Sequence, residues 1–102
     1  MELQYRMENG RLTAALTGEL GHHEALGLMD RLGRLAEAWL PGEMVLDLGG
    51  LEFMDSSGIG MMIGRYKRMR SRGGTMGVMA GDARIERMME LSGLYQIVDK
   101  LA

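Results

Sequence analysis

The segment Met44-Val-Leu-Asp-Leu-Gly-Gly-Leu-Glu-Phe-Met-Asp-Ser-Ser-Gly-Ile-Gly60 passes from a strand signal to a helix start, and the rest of the chain organises around it. Met44 to Leu48 is a short, mostly apolar run, the pattern of a strand covered on both faces. Gly49-Gly50 reads as a turn. Asp55 and Ser56 both favour N-cap geometry, because their side-chain oxygens accept from the free amides of a first helical turn. Ile59, Met62, Ile63, Tyr66 and Met69 follow at helical spacing, with Arg65, Lys67, Arg68 and Arg72 on the opposite, solvated face. Gly73-Gly74 ends that helix.

Upstream, Ala25, Leu28, Met29, Leu32, Leu35, Ala36 and Trp39 mark the inner face of an earlier helix, stopped by Leu40-Pro41-Gly42. Before it, Leu3, Tyr5 and Met7, then Leu12, Ala14 and Leu16, alternate with polar neighbours. Asn9-Gly10 lies between the two runs and is a strong hairpin signal, since both residues tolerate positive φ. Downstream, Thr75 to Ala80 reads as a strand, and Asp82 as the N-cap of a third helix that Gly93 terminates. Tyr95 to Val98 reads as a last short strand. This alternation predicts one small α/β domain over residues 1–102. Its sheet is mixed, with an N-terminal antiparallel hairpin and right-handed β-α crossovers covered by helices.

Composition narrows the function. A chain of 102 residues has room for one core, and a net charge of -2 gives no global attraction for nucleic acid or an anionic membrane. Without cysteine there is no thiol nucleophile, disulfide framework or Cys-ligated zinc site, which fits a cytoplasmic setting. No apolar run is long enough to span a bilayer, and the N-terminus lacks a signal-peptide profile. Twelve methionines stand against one Phe and one Trp, so thioethers and leucines must fill the core. Met29, Met62 and Met88 fall on inner faces. Met54 and Met61 flank the Asp55 loop, where a pliable thioether suits a contact.

Asp55-Ser56-Ser57-Gly58 has a simple interpretation: a capped helix start kept thin by Gly58, Gly60 and Gly64. It also displays a hydroxyl where a phosphate would meet the positive end of the helix dipole and the charge of Asp55. Enzyme interpretations fare worse. Gly58-Ile-Gly60-Met-Met-Ile-Gly64 approximates a dinucleotide fingerprint, but its third glycine is one position late and the partner acid is missing. It also lacks the Lys-Ser/Thr ending of a P-loop. A serine hydrolase needs a base beside Ser56 or Ser57, and His22 and His23, adjacent in sequence, point in different directions. The same pair lacks the three- or four-residue spacing of helical metal ligands, so no metal or cofactor is expected. Five bases between Arg65 and Arg72 form a solvated helix end too narrow for a nucleic-acid footprint.

Three motifs together resemble the STAS-domain anti-sigma factor antagonists: Leu16-Thr-Gly-Glu-Leu-Gly-His-His-Glu-Ala25, Val45-Leu-Asp-Leu48 and Phe53-Met-Asp-Ser-Ser-Gly-Ile-Gly60. Ile63-Gly-Arg-Tyr-Lys67 and Met89-Glu-Leu-Ser-Gly-Leu-Tyr95 are similar to the sporulation branch of that family. The resemblance implies a non-enzymatic partner switch. The unphosphorylated antagonist binds an anti-sigma factor that is also an ATP-using serine kinase, and so frees the sigma factor. Phosphorylation at Ser56 ends the contact, and a PP2C-type phosphatase restores it. Partner contacts map to Asp55, Ser56, Ser57, Gly58 and Ile59, with Gly21, His22 and His23 nearby. The alternative is a partner-switch or scaffold protein of a stress-response sigma pathway, and a remoter one is a small nucleotide-binding enzyme. The family commonly has aspartate where this chain has Gly21. It also often carries a last helix beyond the position of Asp99-Lys-Leu-Ala102, which would leave surface near Ile97 and Leu101 covered differently.

Overall fold

The computed structural model describes residues 1–101. Strands β1 (Glu2–Glu8) and β2 (Arg11–Leu20) form the hairpin, followed by α1 (His22–Trp39) and β3 (Glu43–Met54). Then come α2 (Ser56–Ser71), β4 (Thr75–Met79), α3 (Ala83–Leu91), a 3-10 turn at Leu94–Gln96 and β5 (Asp99–Lys100). The sheet runs β1-β2-β3-β4-β5, with β1 antiparallel and the remaining neighbours parallel. Asn9 and Gly10 turn the hairpin at φ 50° and 80°, as their side chains allow.

Each crossover advances by one strand, so crossovers of one hand carry all three helices to the same face. The register supports this. Leu12, Met44 and Met76 form one cross-strand row and Ala14, Leu46 and Val78 the next, all buried. The other face shows Thr13, Ala15 and Asp47 only half-buried, so β3 is not covered by helices on both sides. Gly49-Gly50 does not turn. It lies within β3 beside a register shift, and a Cβ on Gly50 would lie 2.6 Å from the Thr17 side chain. Bare backbone there lets β2 and β3 stay paired to their ends.

Four further expectations need correction. Tyr95 to Val98 is not a strand: Ser92 Oγ accepts from Leu94 N–H at 3.2 Å and starts the 3-10 turn, so pairing waits for Asp99 and Lys100. Trp39, at the last residue of α1, is half exposed. Arg65 is buried rather than solvated, at 5% exposure, while Met54 and Met61 are core residues. Leu101 lies against Gly77, and Ile97 is exposed. The α3–β5 corner is held by charge. Glu86 accepts from Tyr95 Oη at 2.9 Å and pairs with Lys100 Nζ at 2.6 Å. The Lys100 and Tyr95 hydrogen bonds lower the Glu86 pKa, whereas burial, then Glu86, raises that of Tyr95.

Candidate functional site

Parallel strands put their carboxyl ends, and the helices that follow, on one edge of the sheet. Leu20 and Met54 are register partners, and Asp55 N–H donates to Leu20 O at 3.3 Å. The N-termini of α1 and α2 therefore emerge side by side. On α2, Asp55 Oδ1 accepts from Ser57 N–H at 2.8 Å, the expected N-cap, and Gly58 N–H donates to Asp55 O at 3.0 Å. On α1, Gly21 is the cap position and Glu24 Oε1 accepts its N–H at 2.9 Å. A Cβ on Gly21 would lie 3.0 Å from Glu24 Oε1 and 3.7 Å from Asp55 Oδ2, so an aspartate there would add a third carboxylate to this corner.

This arrangement gathers the predicted residues Gly21, His22, Asp55, Ser56, Ser57, Gly58 and Ile59 and gives them different tasks. Ser56, the first residue of α2, is exposed, and its hydroxyl has no hydrogen bond among the described residues. Ser57 is half-buried, and its Oγ lies 3.3 Å from His22 Nδ1. Gly58 faces inward: an added Cβ would lie 2.5 Å from Met54 Cγ. Ile59 is half-buried. His23 is exposed, its ring tilted 59° from that of His22 at 5.9 Å between centroids.

The His22–Ser57 contact brings a base nearer to a serine than sequence adjacency suggested. It does not make a triad, because no carboxylate among the described residues orients His22 and Asp55 is spent on the cap. No group of three His, Asp or Glu able to hold a metal occurs among the described residues, and no helix is long and apolar enough to cross a membrane.

Two apolar concavities adjoin the start of α2, one lined by Ser57 and the other by Ser56. One, of about 320 Å³, is lined by His22, Ala25, Leu26, Met29, Gly60 and Met61. The other, of about 540 Å³, lies between α2 and α3 and is lined by Ser56, Ile59, Met88 and Leu91 together with Arg84 and Arg87. Leu26 and Leu91 are strongly exposed, at 63% and 74%. Periodicity had a signal for Leu26, an apolar side chain off the inward stripe of its helix. Nothing local to Leu91 revealed that it borders Ser56.

Residues 3–102 match the STAS domain family, and an anti-sigma F factor antagonist from Paenibacillus polymyxa is 37% identical over 96% of this chain and 86% of its own length. The chain belongs to the STAS-domain anti-sigma factor antagonists. An anti-sigma-B factor antagonist of Bacillus subtilis is 29% identical over 82% of this STAS chain and 75% of the relative. The Bacillus cell fate determinant SpoIIAA, solved in its phosphorylated form, shares the STAS fold at a TM-score of 0.76 and 22% identity. That alignment covers 99% of this chain and 92% of the other.

Proposed function

We propose that this protein frees a sigma factor by docking, unphosphorylated, on an anti-sigma factor through the α1–α2 end of the sheet. Phosphorylation of Ser56 by the partner's serine-kinase activity ends the contact, and a PP2C-type phosphatase restores it. The protein is the phosphoacceptor and not an enzyme. One observation carries the proposal: Ser56 stands exposed, without a hydrogen bond among the described residues, at a capped helix start whose Ser56 and Ser57 each line an apolar concavity. Relatives named anti-sigma factor antagonists support the partner class, and the phosphorylated SpoIIAA structure supports a fold that tolerates the modification.

The physics of the switch is local. A phosphate brings about -1.5 to -2 charges, welcomed by the helix dipole and by Arg84 and Arg87 but opposed by Asp55. Opposing terms of similar size leave the fold nearly unchanged. A docked partner has no such compensation, since it would bury the phosphate against an apolar contact. The test is incubation with the cognate kinase and ATP, with the phosphate mapped by mass spectrometry. Phosphate is expected at Ser56; Ser56→Ala should bind yet resist inactivation, and Ser56→Asp should bind at least tenfold more weakly, a loss of about 1.4 kcal/mol. Phosphate elsewhere, or full binding by Ser56→Asp, overturns the proposal.

A further inference from the structure

The other end of α2 poses an electrostatic problem that the docking surface does not explain. Arg65 is 5% exposed, and its Nε and Nη1 are buried without a hydrogen-bond partner. Buried polar groups are nearly always paired, and a guanidinium cannot escape by losing its proton. Its surroundings make matters worse. Burial, then Arg68 and Arg72, disfavours the charge on Arg65, and Glu37 alone is a favourable partner among its charged neighbours.

Arg65 lies on a wall shared by two cavities between α1 and α2, of about 530 Å³ and 170 Å³. Their ionisable lining is four arginines (34, 65, 68 and 72) against Asp30 and Glu37. Asp30 is occupied, paired with Arg34 at 3.2 Å. Arg72 Nη1 donates to Ala36 O at 3.3 Å and so is held across the groove. Residues 65, 68 and 72 recur at three- and four-residue spacing on one helical face, turned toward α1. Gly33 opens the slot: a Cβ there would stand 3.3 Å from Arg65 Nη1.

We propose that this groove is an oxyanion site, in which Arg65 and Arg68 grip a phosphate group, free or carried by a small molecule. The exposed, planar guanidinium of Arg68 offers paired donors that match two phosphate oxygens, Arg65 adds Nη2 and its buried charge, and converging arginines suit a dianion better than a single carboxylate. The larger cavity has the size of a small-molecule pocket. No aromatic ring lines either cavity, so there is no platform for stacking a nucleobase. A bound dianion would counter the buried charge of Arg65 and offset the repulsion among the arginines. The site is independent of Ser56 and of the partner-switch proposal.

The experiment is an NMR titration of the labelled full chain with inorganic phosphate, and separately with glycerol phosphate, against sodium chloride at matched ionic strength. Saturable shifts of the Arg65 Nε–H signal and of the Gly33 and Arg68 amides are expected with phosphate and not with chloride. Tighter binding of glycerol phosphate assigns the site to phosphorylated small molecules, and binding of inorganic phosphate alone to the free anion. Arg65 variants risk misfolding, so exposed neighbours carry the mutational test. Arg68→Gln should weaken binding roughly tenfold, the loss of a charge-assisted contact, and Glu37→Gln should tighten it. Linear shifts equal to those in chloride, or unchanged affinity in Arg68→Gln, overturn the proposal.

Discussion

The two ends of α2 solve opposite problems with one helix. At its N-terminus the fixed charge is small and the helix is capped: Asp55 serves Ser57 N–H, and on the proposed function the only new charge would be a phosphate on Ser56. At its C-terminal half the charge is fixed and the pairing incomplete, with Arg65 buried unpartnered beside Arg68 and Arg72. On the proposed switch, the first end pairs the Ser57 and Gly58 amides with Asp55, so that a hydroxyl could change state without disturbing the fold. The second holds its cations in place whether or not anything occupies the groove. A helix start is thus suited to reversible signalling, while a helix flank buried against a neighbour is suited to permanent recognition.

Gly58→Ala should break the first end most severely. Its methyl would run into Met54, at 2.5 Å from Cγ and 2.7 Å from Sδ, with Leu20 at 3.2 Å. Overpacking at such a site costs about 2 kcal/mol, read as a lower urea midpoint at unchanged m. An equal effect of Gly58→Ala in a Met54→Ala background would show that the clash is not with Met54.

Asp55 separates stability from recognition at a smaller scale. Asp55→Ala should cost about 1 kcal/mol through the lost cap, while Asp55→Asn, an equally good cap, should fall within a few tenths of wild type. Kinase binding lost in both variants assigns the carboxylate to the partner. Binding kept in Asp55→Asn leaves it only the cap.

How much of this contrast the sequence disclosed depends on the range of each interaction. The hairpin and the Asp55 cap rest on neighbours a few residues apart, and the crossovers, though they pair strands far apart in sequence, follow from the strand–helix alternation and the rule of handedness, so each was legible. Arg65 was not, because Gly58 and Gly64 leave α2 without a sharp apolar stripe and its inner face could be drawn either way. His22 and Ser57 are 35 residues apart and meet only because β2 and β3 pair to their last residues. The final strand was misplaced because Leu94 and Val98, both buried, satisfy the core through a tight turn as well as through an extended run.

Gly60→Ala gives the smallest effect and the finest discrimination between the two concavities beside Ser56. A Cβ at this helical position meets nothing within 4 Å, so replacing glycine should stabilise the fold by roughly 0.5–1 kcal/mol, a thermal shift of a few degrees. The same methyl would project into the concavity lined by His22, Leu26 and Met29. A partner seated there should bind several-fold more weakly to a protein that has become more stable, which no folding defect can imitate. Unchanged binding at higher stability would move the docked partner across Ser56 to the Ile59, Met88 and Leu91 side, where Arg84 and Arg87 would then be the residues to test.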